Sequence, residues 1–261
     1  MIPFGRARRR RAILAALPAD QEVWRVLMER GCLFGGLTSD ERLRLRQLVE
    51  LFLHEKNLDP VGGLVMDAGK RLLLASQACL PILQLGLDAC DNWSTLIVYP
   101  GKFIPDAPEM DPVGVVHPPE PRIGESWPDG PIIVSWRDVK RDFLGEWDYP
   151  MNVVIHEVCH QLDVRNGAFD GMPPLPEGMD PRGWVKDFSM AYSHLQRVCE
   201  GGRETHLDPY AAESPAEFFA VACETFFVAP EVLVGVYPRV YHHLSRYFRQ
   251  DPFARMGQGR S

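Results

Sequence analysis

The segment VVIHEVCHQLDV, residues 153–164, constrains this chain more than any other stretch. Pro150 and Asn152 stand before it as helix start signals, and Asn166-Gly167 follows as a stop. The spacing predicts a helix running to about Val164. The stretch is otherwise apolar, so His156, Glu157, His160 and Asp163 are carried toward the interior. Buried polar groups need partners, and a buried carboxylate most of all.

Helical geometry gives each of these residues a place. At about 100° per residue, His156 and His160 lie about 40° apart around the axis and about 6 Å apart along it. Two imidazoles so placed can both reach one ion at about 2.0–2.1 Å, the distance zinc requires. Glu157 lies about 60° around from His160, so it borders such a site without ligating. That is where a general base for a metal-activated water belongs. Reading the pair instead as two ordinary core histidines leaves Glu157 without a purpose. Asp163 is about 20° from His156 but about 4.5 Å beyond His160 along the axis. It reads as an acceptor for an imidazole N–H, which would set the ring's tautomer. The alternative is a surface residue at a helix C-terminus.

A third donor must come from elsewhere. The metzincin pattern would need glycine at 163 and histidine at 166, where this chain has Asp163 and Asn166. Downstream candidates are Glu213, Glu217, Glu224, His194 and His206. The two histidines have no spacing partner. Glu217 lies in ESPAEFFAVACETFF, where Ser214 suits an N-cap and Pro215 the first helical position. Ser214 and Glu217 also have capping-box spacing, which would give Glu217 a purely structural task. Glu224, seven residues on, shares its face, as a second candidate donor or as a partner to a ligand. This helix is apolar nearly all round, so its two acids are expected to point at something positive.

The rest of the chain sets bounds. Its 261 residues suit one large domain, and a net charge of −7 argues against a nucleic-acid surface. The run RARRRR, residues 6–11, precedes AILAALPAD. As a signal peptide this has an apolar run of only about eight residues, at the bottom of the usual range. The next stretch, DQEVWRVLMERG, reads as a folded helix. Residues 1–19 are therefore expected as a flexible basic segment. No apolar run approaches the about 20 residues of a membrane span. Six cysteines without a CxxC pair point to reduced thiols and a cytoplasmic location.

Helices are expected over DQEVWRVLMERG, TSDERLRLRQLVELFLHEK (with Thr38 and Glu41 in capping-box spacing) and DAGKRLLLASQACLPILQL. Strands are expected at 94–103, 113–118 and 130–136. After the 153–164 helix come a Gly/Pro-rich loop, a helix near 184–200, the helix within ESPAEFFAVACETFF and a last helix near 238–250. No regular βαβ alternation is visible, so the expected class is α+β with a small, mostly antiparallel sheet. The organisation is a single domain over 20–252, helical at 20–90, with the sheet at 91–137 and metal-binding helices at 150–250. A C-terminal tail covers 253–261.

With VVIHEVCHQLDVRNG followed about fifty residues later by LDPYAAESPAEFFAVACETFF, the chain resembles the Mlc titration factor A family. SQACLPIL, IVYPGKF and GPIIVSW extend the resemblance over most of the chain. These are bacterial cytoplasmic zinc peptidases, also described as anti-repressors of a glucose-responsive transcription factor. The resemblance implies a gluzincin-like core with a fold similar to the catalytic domain of anthrax lethal factor. It also implies one zinc ion with His156, His160 and Glu217 as ligands, and Glu157 as base. Tyr210 would lie near the metal, able to donate a hydrogen bond to a developing oxyanion. The cysteine of HEVCH, Cys159, departs from the small residue more usual there and is expected to face away.

The first expectation is thus a zinc peptidase acting on peptide substrates, an aminopeptidase by resemblance, with the GPIIVSW strand offering an edge to substrate backbone. The second is a regulatory protein that sequesters a transcriptional repressor, with peptidase activity secondary. A purely structural zinc site is disfavoured, since those close with four protein ligands and are usually cysteine-rich.

Overall fold

The N-terminal helices lie where their apolar periodicity placed them, in a computed structural model that describes residues 3–17, 22–102, 109–110, 116–117, 124–126, 130–146 and 149–257. After a first helix, α1 (Pro3–Ala15), come α2 (Glu22–Arg30), α3 (Ser39–Glu55) and α4 (Ala68–Cys79). At the head of α3, Thr38 Oγ1 accepts the Glu41 N–H at 3.2 Å, and the Glu41 carboxylate accepts the Thr38 N–H at 2.9 Å. The expected capping box is therefore closed from both sides.

Helix α1 corrects the expectation of a flexible basic segment. Arg6 reaches Glu55 at 2.8 Å and Asp91 at 2.7 Å, and Arg10 reaches Glu55 and Asp88 at 2.7 Å each. The acids at the end of α3 and beyond α4 thus supply countercharge to the arginine run. Glu55 is pulled down to about 2, first by its hydrogen bond from Arg10. The expected C-terminal tail is also structured. Helix α11 (Pro252–Gly257) buries Arg255, which donates to the Leu33 carbonyl at 3.3 Å.

The sheet corrects the expected topology. Strands β1 (Asn57–Pro60), β2 (Thr95–Tyr99), β5 (Gly124–Ser126) and β6 (Ile132–Ser135) lie in the order β1-β2-β6-β5. The first three are parallel, and only β5 runs antiparallel, against β6. The cause is β1. Its sequence, NLDP, is polar and ends in proline, so it shows no strand pattern; proline is tolerated there because the strand is an edge. Chain leaving β1 passes through α4 before returning as β2, and such a crossover makes a parallel pair. The expected strand at 113–118 contributes only β4 (Val116–His117), paired with β3 (Glu109–Met110) outside the main sheet. Phe103, residues 113–115 and 118, and residues 258–261 lie outside the described residues.

A helix absent from the expectations, α5 (Trp136–Leu144), follows β6 and ends at Gly145 in the left-handed region, φ 75°. Then come α6 (Val153–Asp163), α7 (Pro181–Glu200), α8 (Pro215–Val228), α9 (Pro230–Val236) and α10 (Pro238–Phe248). Helix α6 lies against β5, β6, α4 and, most extensively, α8. Leu96, Val98, Ile132 and Val134 present one fully buried sheet face. The aromatic residues Phe218, Phe219, Phe226, Phe227 and Phe248 complete the core around α8.

Candidate metal centre

Helix α6 starts at Asn152, whose Oδ1 accepts the Ile155 N–H at 3.0 Å. Two buried carboxylates take the neighbouring N–H groups. Asp142 Oδ2 accepts from Val153 at 2.9 Å, and Glu224 Oε2 accepts from Asn152 at 2.5 Å. Both satisfy unpaired donors at the positive end of the helix dipole. Burial still dominates at Asp142, whose carboxyl is pushed up to about 7 against the Val153 N–H and Arg141. Asn152 also donates from Nδ2 to Gln77 Oε1 on α4 at 2.6 Å. The helix therefore enters the core with the Asn152, Val153 and Ile155 N–H groups paired and its position held from two sides.

From this helix His156 and His160 point at α8. Their Nε2 atoms lie 3.0 Å apart. Glu217 Oε2, in the first turn of α8, sits 3.1 Å from the first and 3.3 Å from the second. Donor atoms about 2.0–2.2 Å from one ion in tetrahedral array stand about 3.3–3.6 Å apart, so the three fit a zinc-sized cation closely. His156 Nδ1 lies 2.6 Å from Glu224 Oε1. A carboxylate there can only accept, so Nδ1 carries a proton and Nε2 can offer its lone pair to a metal. Burial works against charge on His156, yet Glu224, Glu217 and Glu157 raise its proton affinity well above the ordinary value. The site calls for a positive charge at this point. Membership of the donor set goes to His156, His160 and Glu217, the one such group among the described residues.

The capping box expected of Ser214 and Glu217 is half present. Ser214 Oγ accepts the Glu217 N–H at 3.1 Å, while the Glu217 side chain turns to the histidines. Glu157 is 4% exposed and lies outside the donor set, beside β5. A side chain at Gly124 of β5 would collide with its carboxylate. Tyr210 follows the Asp208 cap of a short 3-10 turn, its ring 6.2 Å from that of His156. The ring is 45% exposed, yet desolvation, followed by the charges of Glu217, Glu213 and Glu157, holds the phenol well above its usual range.

Two expectations change. Asp163 makes no hydrogen bond to an imidazole; its Oδ2 accepts the Gly171 N–H at 2.9 Å and pins the following loop. The carboxylate that meets His156 is that of Glu224, because His156 presents Nδ1 toward α8 and not along its own helix. The strand β6 is covered on both sides, so among the described residues the sheet edge on the side of Glu157 belongs to β5. Cys159 is fully buried next to Cys223, away from the donors, as expected. His194 pairs with the Tyr237 hydroxyl at 3.0 Å, and neither it nor His206 or Glu213 enters the donor set. Sequence reasoning missed Phe169, whose ring stacks on His160 at 4.8 Å and 28°. It also missed the Asn152–Gln77 bridge and Asp142; of these only Asn152 had a signal, as a helix start.

A family described as glucose-regulated metallo-peptidase M90 matches residues 5–249. The chain belongs to that family. It is 37% identical over 230 residues to Mlc titration factor A of Escherichia coli O9:H4 (strain HS), covering 86% of this chain and 84% of that one. The same-named protein of Serratia proteamaculans (strain 568) is 38% identical over 229 residues, 86% of each. That of Salmonella arizonae (strain ATCC BAA-731 / CDC346-86 / RSK2980) is 38% identical over 224 residues, 84% of this chain and 88% of its own. M90 membership implies a metal, and the donor set on α6 and α8 is the place in this chain that fits one. Among the described residues no helix is long and apolar enough to cross a membrane.

Proposed function

We propose that this M90 chain is a zinc-dependent peptidase of the cytoplasm, an aminopeptidase on short peptides. The observation that carries the reading is the convergence of His156 Nε2, His160 Nε2 and Glu217 Oε2, with Glu157 beside them and outside the donor set. These three residues would hold zinc, which when bound polarises a carbonyl and lowers the pKa of a coordinated water to about 7. Glu157 takes the proton of the attacking water on its carboxylate and delivers it to the leaving amine nitrogen. Tyr210, kept protonated, donates its O–H to the substrate oxygen as negative charge builds there. Glu224 holds His156 in the tautomer that faces the donors. Strand β5, an edge of the sheet among the described residues, offers backbone groups to an extended peptide next to Glu157. Glu157→Gln tests the reading. Turnover of aminoacyl chromogenic substrates should fall by about 10²–10⁴-fold with zinc content unchanged. Undiminished turnover would sink the mechanism.

The relatives' name supports a second reading. They are called titration factors of Mlc, and carried to this chain the name implies binding of a transcriptional repressor protein. A Glu157→Gln protein that still relieves repression in cells would separate this role from peptide hydrolysis.

A further inference from the structure

A cavity of about 200 Å³ lies where the loop after α6 and the start of α8 meet α7, and none of the residues discussed so far as ligand, base or hydrogen-bond donor to substrate opens into it. Its walls are Gly171 and Met172 of the loop after α6, Trp184 and Phe188 of α7, and Pro215 and Phe218 of α8. Trp184 and Phe188 stack at 4.3 Å and 11°, giving a flat aromatic wall. The walls are tied to each other and to the metal helix. Trp184 Nε1 donates to the Gly171 carbonyl at 3.1 Å, and the Gly171 N–H donates to Asp163 Oδ2 at 2.9 Å. Gly171 has φ +79° and packs so tightly on the Pro215 carbonyl that a side chain there would collide.

Two elements of the cavity's walls continue to the site. Phe169, two residues before Gly171, stacks on His160 and is still 41% exposed. Pro215, two residues before Glu217, opens the helix that carries that carboxylate. Pockets that hold drug-sized molecules run about 300–1,000 Å³, so this smaller one suits a single side chain. Asp170 lines the same mouth and disfavours an acidic occupant. We propose that this cavity is a substrate subsite that takes a large apolar side chain, aromatic or aliphatic, from a residue flanking the cleaved bond, with Phe169 as the wall between it and His160. The proposal rests on the peptidase reading, and its test separates the two.

Zinc-loaded Glu157→Gln protein is titrated calorimetrically with tripeptide amides carrying Phe, Leu, Ala or Glu at one position in turn. Wild-type protein is assayed for hydrolysis of the same peptides. Phe and Leu peptides should bind on the order of tenfold or more tighter than Ala, with Glu weakest. Ser189 and Val185 line the cavity from exposed positions on α7, so Ser189→Phe and Val185→Trp fill it without disturbing the core. Each, in the Glu157→Gln background, should bring the Phe-to-Ala ratio to within about twofold. Equal binding of Phe and Ala peptides, a preference that both filling variants leave intact, or no binding by any peptide overturns the subsite. If the binding preference holds while wild-type protein hydrolyses none of the peptides, the peptidase reading fails, and the cavity is a pocket for apolar peptide side chains and not a subsite of a cleaved substrate.

Discussion

Replacing Glu224 by glutamine tests the reading of the metal centre most directly, because it removes a charge without removing a donor to the metal. Glu224 is buried and serves two donors at once, His156 Nδ1 at 2.6 Å and the Asn152 N–H at 2.5 Å. An amide cannot accept from both. If its oxygen keeps His156, its NH₂ faces the Asn152 N–H, and a buried donor left without an acceptor costs about 1–3 kcal/mol. If the amide turns over, its NH₂ can donate to Nδ1 only when that nitrogen is unprotonated. The proton then moves to Nε2, and the ring can no longer offer that atom to a metal. Losing the partner of a metal-ligating histidine typically weakens binding about 10–100-fold, or about 1.4–2.7 kcal/mol. The double duty of Glu224 places the expected loss at the upper end, near 100-fold (about 2.7 kcal/mol). The assay is zinc affinity by competition with a chromogenic chelator, with far-UV circular dichroism to confirm the fold. Glu217→Gln is the control for loss of a direct donor. A zinc affinity for Glu224→Gln within about threefold of wild type, in a folded protein, would refute the claim that Glu224 sets the His156 tautomer.

Other perturbations reach the same framework from different sides. Gly124→Ala pushes a methyl into the Glu157 carboxylate, so turnover should drop at least about tenfold while zinc content, read by atomic absorption, stays at wild-type level. Asp142 has its carboxyl raised to about 7, above the about 3.9 of an unfolded chain, so the native state holds its proton more tightly. Its contribution therefore falls as pH rises from about 4 to 7, on the order of 2–3 kcal/mol between pH 5 and 8. Urea unfolding of Asp142→Asn should show a correspondingly shallower loss over that interval. Lys56 is buried and donates to the Cys90 and Trp93 carbonyls, so Lys56→Met should cost about 2–5 kcal/mol in the same measurement. Arg6→Ala with Arg10→Ala should cost about 1 kcal/mol or less at moderate salt, because Asp88 and Asp91 are largely exposed.

What the sequence made legible was whatever lies on one element. His156, Glu157 and His160 owe their arrangement to helical spacing alone, and Asn152, Gly167, Thr38 and Glu41 marked their own helix ends. Glu217 was harder, since the capping-box spacing with Ser214 offered it a rival task, and only its placement across from α6 shows that the backbone half of that box is made while the side chain goes elsewhere. The sheet was misread for a similar reason. The polar strand NLDP has no pattern of its own and becomes a strand only because β2 lies alongside to pair with it.

The same principle separates Asp163 from Glu224. Both are acids near the histidines, and angles around one helix favour Asp163. Yet the hydrogen-bonding side of a ring is set by where the ring must point to meet its other ligands. Once His156 and His160 turn Nε2 toward Glu217, the Nδ1 of His156 is directed at α8, where Glu224 stands about two turns beyond Glu217. Asp163 is then free to anchor Gly171, and through it the loop that lays Phe169 on His160 and closes one wall of the aromatic cavity. The candidate metal site and the cavity at the start of α8 thus both follow from one choice, the face that α6 turns to α8.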